Sequence, residues 1–325
     1  MANHEQYFAS ESDRRRWLAG FIVSRVFIYG FLTAFALFIL LPFWFMIVTS
    51  LKHAGDYQNE QAQGILNLFP TTLTFKNFGT IFGAQWGYSP SIPADREIAE
   101  LGLGTSGENF VIYFTNTIIV AVTSTVFMII TTVLASFAFA RLEFKGKNLL
   151  FTLLLATMMV PGEMMIITNF QTANSLNWTN TYAALIFVHG ISIFYIFYLR
   201  QTFQQIPNEL YLAAKVDGYG EFGYLLKVMI PIAMPTIVTI TILNVMGSWN
   251  AYIWPNLIAT ADNPIFGNSM KLVSNGLMSM FSNTFRSYDT LRIAGSMVVT
   301  APLLVVFIFF RKYIMRGVSR SGIKG

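Results

Sequence analysis

Cysteine is absent from the 325 residues, which excludes a disulfide framework and any thiolate metal site. Histidine is scarce: there are three, two of them outside the apolar runs, so no metal-ligand cluster is expected. Charge is scarce as well. Asp, Glu, Lys and Arg make up 11% of the chain against 54% hydrophobic residues, and the mean hydropathy of +0.53 is one that soluble domains rarely approach. Lipid is the expected solvent. No GxxxxGK[ST] loop is present to cradle phosphates, since the Gly146-Lys147 step has Arg141 where the first Gly should stand. No Ser/His/Asp grouping, HExxH or DxD cluster appears either. The chain reads as a non-enzyme that binds no cofactor or metal of its own.

What is present is a series of apolar runs. Six, near Val26–Val48, Val111–Ala140, Leu149–Thr168, Tyr182–Leu199, Pro235–Trp254 and Ile293–Phe310, are each about 18–25 residues long, enough to cross a hydrocarbon core. The fold class expected is an all-α integral membrane protein with six transmembrane helices. Orientation follows from Lys and Arg, which accumulate on cytoplasmic flanks. The N-terminal arm through Arg25 carries four, the Arg141–Asn148 loop three, the Arg200–Lys227 segment three and the tail from Arg311 five. The opposite side carries only Lys52, Lys76, Arg96, Lys271, Arg286 and Arg292. Both termini are therefore expected in the cytoplasm. The pI of about 9.3 reflects this asymmetry and implies no nucleic-acid partner. Arg14, Arg15 and Arg16 precede an apolar run too long for a cleaved leader, which reads as an uncleaved signal-anchor.

The chain divides into a cytoplasmic arm (1–25), a membrane domain (26–315) and a cytoplasmic tail (316–325). Within the membrane domain lie an exterior insertion (50–110) and a cytoplasmic loop (200–230). The insertion holds one expected short helix, Ala94–Leu101, with Asp95 at its positive end. The segment Trp254–Arg292, rich in Met and Phe, is expected to be partly buried at the membrane surface.

Glu163, in MMVPGEMM, is the one acid inside an expected span, just after a Pro161-Gly162 break. An intramembrane carboxylate is costly and marks a pathway or a structural kink. His189 could join it in a proton relay, which defines the alternative function: an ion-coupled transporter or channel using Glu163 and His189. Asn244 and Asn250 stand among Trp249, Tyr252 and Trp254 near the end of the fifth span. The aromatics suit a membrane interface, whereas the amides call for partners.

The most specific stretch is Pro207–Pro231, P-NELYLAAKVDG-YGEFGYLLKVMI-P. Asn208 is expected to cap a short helix that places Leu210, Ala213 and Ala214 on one face, and Gly218 to allow a sharp turn into a second amphipathic run. This loop resembles the EAA loop of the membrane subunits of binding-protein-dependent ABC importers. Ala213, Ala214, Asp217, Gly218 and Pro231 match the motif, while Leu212 replaces its Glu and Tyr219 its last Ala. FTNTIIVAVTST, FARLEFKGKNLLF, ATMMVPGEMMIITNF, YLRQTFQQIPNEL and GSWNAYIWP look like carbohydrate-uptake permeases of the maltose-system type, the shorter of the two subunits. The ending RKYIMRGVSRSGIKG resembles that subunit's tail. The resemblance implies the type I importer permease fold and a path formed with a homologous second permease. It further implies two ATPase subunits that use ATP and Mg, contacted by the loop and by Gly322, Lys324 and Gly325, and an extracytoplasmic solute-binding protein.

Overall fold

The computed structural model describes residues 11–65, 67–82, 107–265, 267–280 and 289–319. The insertion around 83–106, with its expected helix at Ala94–Leu101, and the tail residues Gly322, Lys324 and Gly325 lie outside them.

The chain begins with one long helix, α1 (Glu11–Ser50), and then folds back through two short ones, α2 (Ala54–Gln63) and α3 (Lys76–Ile81). The turn between them is held by polar groups. Lys52 Nζ lies 2.5 Å from Glu60 Oε2 and 2.8 Å from the carbonyl of Asn67, whose Nδ2 donates to Glu60 Oε1 at 3.0 Å. Asn77 Nδ2 donates to the carbonyls of Ser50 and Lys52, both at 2.8 Å. Lys52 is 0% exposed. Charge counting places it on the exterior side and says nothing of its burial, which the adjacent carboxylate makes possible.

Next comes α4 (Gly107–Ala140), followed by α5 (Lys147–Thr157). The expected span Leu149–Thr168 is not one helix. It breaks where Pro161 supplies no donor, passes through a 3₁₀ turn at Gly162–Met165 and resumes as α6 (Ile166–Ser175), bent by 88° from α5. The expected span Tyr182–Leu199 is broken too, into α7 (Tyr182–Phe187) and α8 (Ile193–Gln204). Hydroxyls of α4 satisfy backbone groups along this pair: Thr131 Oγ1 donates to the carbonyl of Gly190 at 3.1 Å and Ser136 Oγ to that of Ile196 at 2.9 Å. A side chain at Gly190 would lie 2.3 Å from the Phe127 ring, so α4 approaches the break on bare backbone.

Beyond α9 (Asn208–Val216), a single helical path runs from α10 (Glu221–Tyr224) through a π turn at Leu225–Met229 into α11 (Ile230–Trp249). The fifth span thus starts well before Pro235, and Pro231 sits in the first turn of α11 instead of closing a loop. Then α12 (Ile253–Ile258) and α13 (Val273–Met280) lead to α14 (Asp289–Ser319). Among the described residues there are four continuous helices long and apolar enough to cross a membrane, or five if the bent α5–α6 pair counts as one. The only β-pairing described is an isolated bridge, Asp262 to Ser269.

Three buried clusters fix the arrangement. One closes the end of the bundle where α3, α4, α11 and α14 meet, around Ile81, Phe110, Trp249, Val273 and Leu291. A second closes the opposite end, around Phe137, Phe203, Ala214, Tyr224 and Met229. The third, with Val120, Leu185, Trp254 and Met270, packs α4 against α7 and α12. The Met-containing segment after Trp254 contributes Met270, Leu272 and Leu277 to these cores. α1 packs along α14 but leaves most of its apolar side chains exposed, from Phe27 to Leu41.

Candidate functional site

Two features of the membrane domain point to function. The first is a cavity of about 200 Å³ between α4, α7, α8, α11 and α12. Ser124, His189, Tyr195, Asn244, Ser248 and Trp254 supply its polar and aromatic lining, and Val120, Leu185, Leu243 and Leu272 its apolar lining. Asn244 Nδ2 donates to Thr125 Oγ1 at 2.9 Å, and the Ser124 and Ser248 hydroxyls face each other at 3.4 Å. Trp254 is immobilised by a 3.1 Å bond from Nε1 to the carbonyl of Ala184, and the His189 ring meets it edge-on at 5.5 Å.

This placement sorts the residues singled out in the sequence. Asn244 and His189 line the cavity. Asn250 does not: it ends α11, where its Nδ2 donates to the carbonyl of Met246 at 2.9 Å. Glu163 is exposed, lies in the 3₁₀ turn and is not among the cavity residues, so no carboxylate meets His189 there. Trp249 and Trp254, read as interfacial aromatics, are buried, and Trp249 Nε1 donates to the carbonyl of Val299 at 3.1 Å. Each indole N–H reaches a backbone carbonyl of a distant helix, which makes the pair internal struts. Ser124 and Ser248 were missed by sequence reasoning; they lie four residues after Val120 and four after Asn244, a helical spacing that marks a shared face.

The second feature is the loop at the other end. α9 begins after Pro207, the N-cap, which makes no side-chain capping bond; Asn208 is already helical, contrary to its expected role. At the other terminus Gly218 takes φ +78°, its N–H bonds to the carbonyl of Lys215 at 3.1 Å and that of Tyr219 to Ala214 at 2.9 Å. These two bonds form a Schellman motif, which needs a left-handed residue at the position Gly218 fills. Asp217 sits at the C-cap, where the helix dipole disfavours an anion, so helix stability does not explain its presence.

The two alanines of the loop part company. Ala214 is 4% exposed and packs with Tyr211, Tyr219 and Tyr224 in the chain's own core. Leu210, Leu212, Ala213 and Val216 are exposed, Val216 at 88%. The single face expected for Leu210, Ala213 and Ala214 is therefore divided, with Ala214 anchoring the helix and the others facing outward.

Polar bonds complete the anchor. Tyr211 Oη and Lys215 Nζ both donate to Glu221 Oε1 at 2.7 Å, and Tyr211 stacks edge-on against Tyr224 at 5.0 Å. The bond to Glu221 holds the Lys215 ammonium above its ordinary range. A raised ammonium pKa favours the folded loop below about pH 10.5 and ceases to do so as pH rises through the shifted value, so the contact persists at physiological pH. Arg141 Nη2 binds the carbonyls of Phe203 (3.1 Å) and Ile206, fixing the approach to the loop. Replacing Glu221 with Gln is expected to speed amide exchange in 208–216 about two- to fivefold, the range of an exposed charge pair, and to leave exchange in α4 unchanged. Hydrogen exchange with mass spectrometry reads this directly; equal acceleration in α4 would show that Glu221 supports the whole bundle instead.

A bundle of broken and continuous apolar helices, with a polar cavity and an exposed helix at one end, is the build of a multi-pass membrane protein. Residues 132–321 match the family described as binding-protein-dependent transport system inner membrane component, and the chain belongs to that family. It is a transport protein of the bacterial inner membrane that forms part of a translocation pathway, and the ion-coupled alternative falls away. A relative in Halalkalibacterium halodurans, the arabinooligosaccharides transport system permease protein AraQ, is 30% identical over 94% of this chain and 98% of its own length. The sn-glycerol-3-phosphate transport system permease protein UgpE of Yersinia pestis is 26% identical over 79% of this chain and 92% of its own. In fold, the chain is similar to a subunit of a bacterial ABC transporter involved in the import of the acidic polysaccharide alginate, with TM-score 0.68 at 21% identity, covering 94% of this chain and 99% of that one.

Proposed function

We propose that this chain forms half of the path by which an ATP-driven importer moves a carbohydrate or related solute. A homologous second permease supplies the other half, and an extracytoplasmic solute-binding protein delivers the solute. Two cytoplasmic ATPase subunits bind and hydrolyse Mg-ATP, and this chain itself holds neither ATP nor Mg. Relatives named for arabinooligosaccharide and glycerol phosphate transport support the solute class.

The observation that carries the coupling role is the combination of an exposed apolar face on α9 with an anchor that prevents α9 from moving independently of α10 and α11. Leu210, Leu212, Ala213 and Val216 fit a groove on an ATPase, while Ala214, Gly218 and the Tyr211–Glu221 bond pass displacement of α9 to α11, which lines the cavity. Asp217 adds a polar contact at the rim. Gly322, Lys324 and Gly325 in the tail make a second contact with the ATPases. Closure of the ATPases on ATP then biases the helices between two arrangements through contacts that differ in each. The outward apolar side chains of α1 face lipid and the second permease.

The absence of cysteine makes the orientation testable. A Val216→Cys variant is expected to react with a membrane-impermeant maleimide in inside-out vesicles and not in right-side-out ones, and co-assembled ATPases should protect it. Labelling from the outer face would reverse the orientation, and failure of the ATPases to protect it would remove α9 from their interface.

A further inference from the structure

The cavity lined by Ser124, His189, Tyr195, Asn244, Ser248 and Trp254 has a composition that specifies more than passage. Its lining includes no Asp, Glu, Lys or Arg, so it offers a ligand no permanently charged side chain. Its polar groups are two hydroxyls, an amide, an imidazole and a phenol. The Asn244 amide has one N–H committed to Thr125, which leaves its carbonyl oxygen and second N–H for a ligand. The two serine hydroxyls, 3.4 Å apart, hold each other weakly and can turn toward a third group. Alongside them stand a rigid indole and aliphatic walls. Hydrogen-bonding groups interspersed with aromatic and aliphatic surface match a sugar ring, which presents hydroxyls at its edge and C–H groups on its face. The volume of about 200 Å³ lies below the roughly 300–1,000 Å³ of pockets for drug-sized ligands, which limits the occupant to about one ring.

The position of the cavity supports the same conclusion. Val120 and Ser124 lie toward the middle of the α4 span and Asn244 lies within the α11 span, where polar groups are costly and signal function. The mouth lies at Leu243 and Gly247, both exposed, and a side chain added at Gly247 would meet nothing within 4 Å. A ring can therefore enter sideways from the face of α11 that the bundle leaves open.

We propose that this chain itself provides a subsite for one neutral sugar ring of the solute in mid-passage, with Asn244, Ser124, Ser248 and His189 bonding its hydroxyls and Trp254 and Tyr195 supporting its face. The inference rests on the carbohydrate reading above and adds that this permease, and not its partner alone, contacts the solute.

The test uses the whole assembly with its binding protein in proteoliposomes, offered labelled neutral arabino-, galacto- and gluco-oligosaccharides and, in parallel, labelled sn-glycerol-3-phosphate. The readout is solute moved per ATP hydrolysed, with subunit co-purification as the check on folding. Asn244→Ala is expected to lower this ratio about tenfold for the transported oligosaccharide, the loss of one or two hydrogen bonds. Gly247→Leu, which obstructs the mouth without removing any polar group, is expected to lower it at least as far and serves if Asn244→Ala does not assemble. A wild-type ratio in an assembled Gly247→Leu or Asn244→Ala complex that still imports oligosaccharide overturns the subsite alone. An unaltered wild-type assembly that imports glycerol phosphate and none of the oligosaccharides narrows the proposed function to the related solutes and overturns the sugar-ring subsite.

Discussion

Replacing Gly218 with Val is expected to separate ATP hydrolysis from uptake in the reconstituted importer, with hydrolysis continuing and solute movement falling by an order of magnitude or more. The cause is conformational. A side chain at position 218 would touch nothing within 4 Å, so no clash arises, but the φ of +78° is one that L-residues adopt at a cost of about 1–2 kcal/mol and β-branched residues resist further. The chain escapes by leaving the left-handed region, which breaks the bonds from Gly218 N–H to Lys215 and from Tyr219 N–H to Ala214. The end of α9 then frays next to the exposed Val216, and displacement of the helix no longer reaches α10. A graded series separates this from bulk alone. Asn, which tolerates the left-handed region, should retain most coupling, Ala should lose part and Val nearly all. Uptake per ATP measured across the three variants checks the order, and a Val variant with normal stoichiometry would remove Gly218 from the coupling path.

The second large effect lies at the opposite end of the molecule. Lys52→Met leaves Glu60 buried at 7% exposure without its cation and removes the bond to the Asn67 carbonyl. Breaking a buried ion pair from one side costs about 3–5 kcal/mol, whereas replacing both partners with apolar residues is often close to neutral. The single variant should lower the unfolding midpoint of the detergent-purified chain by roughly 5–15 °C, and Lys52→Met with Glu60→Leu should recover most of the loss. Equal midpoints for wild type and Lys52→Met would mean that the pair contributes no net stability.

These two sites also show what could be read in advance and what could not. Continuous spans were legible because each is an unbroken apolar run whose helical form lipid enforces, as in 110–140 and 289–311. The breaks were less legible. Pro161-Gly162 announces an interruption but not an 88° bend, and the gap between α7 and α8 has no proline; about sixty positions earlier, Thr131 donates to the Gly190 carbonyl in the gap and Ser136 to that of Ile196 in the first turn of α8. In the coupling loop, helical spacing groups Leu210, Ala213 and Ala214 but does not say which side faces the bundle. That is decided by Tyr211, three residues before Ala214, whose hydroxyl reaches Glu221 across the Schellman turn. Lys52 illustrates the limit of charge counting, because a tally of basic residues assigns a side and says nothing of burial. Trp249 and Trp254 suited an interfacial belt by type alone, until distant carbonyls at Val299 and Ala184 proved to accept their N–H bonds.

The π turn at Leu225–Met229, closed by the bond from Ile230 N–H back to the carbonyl of Leu225, makes the helix phase at the loop independent of the phase in the span. Each residue of an α-helix advances its faces by about 100°, so a turn with one residue more than an α-helical ladder requires offsets everything above it by about that angle. Glu221 and Tyr224 can therefore point at α9 while Asn244 and Ser248 point into the cavity, two directions that one uninterrupted helix of the same length would have to compromise. The wide turn works as an angular adapter, setting the angle between the side chains that hold α9 and the serine and asparagine that line the cavity.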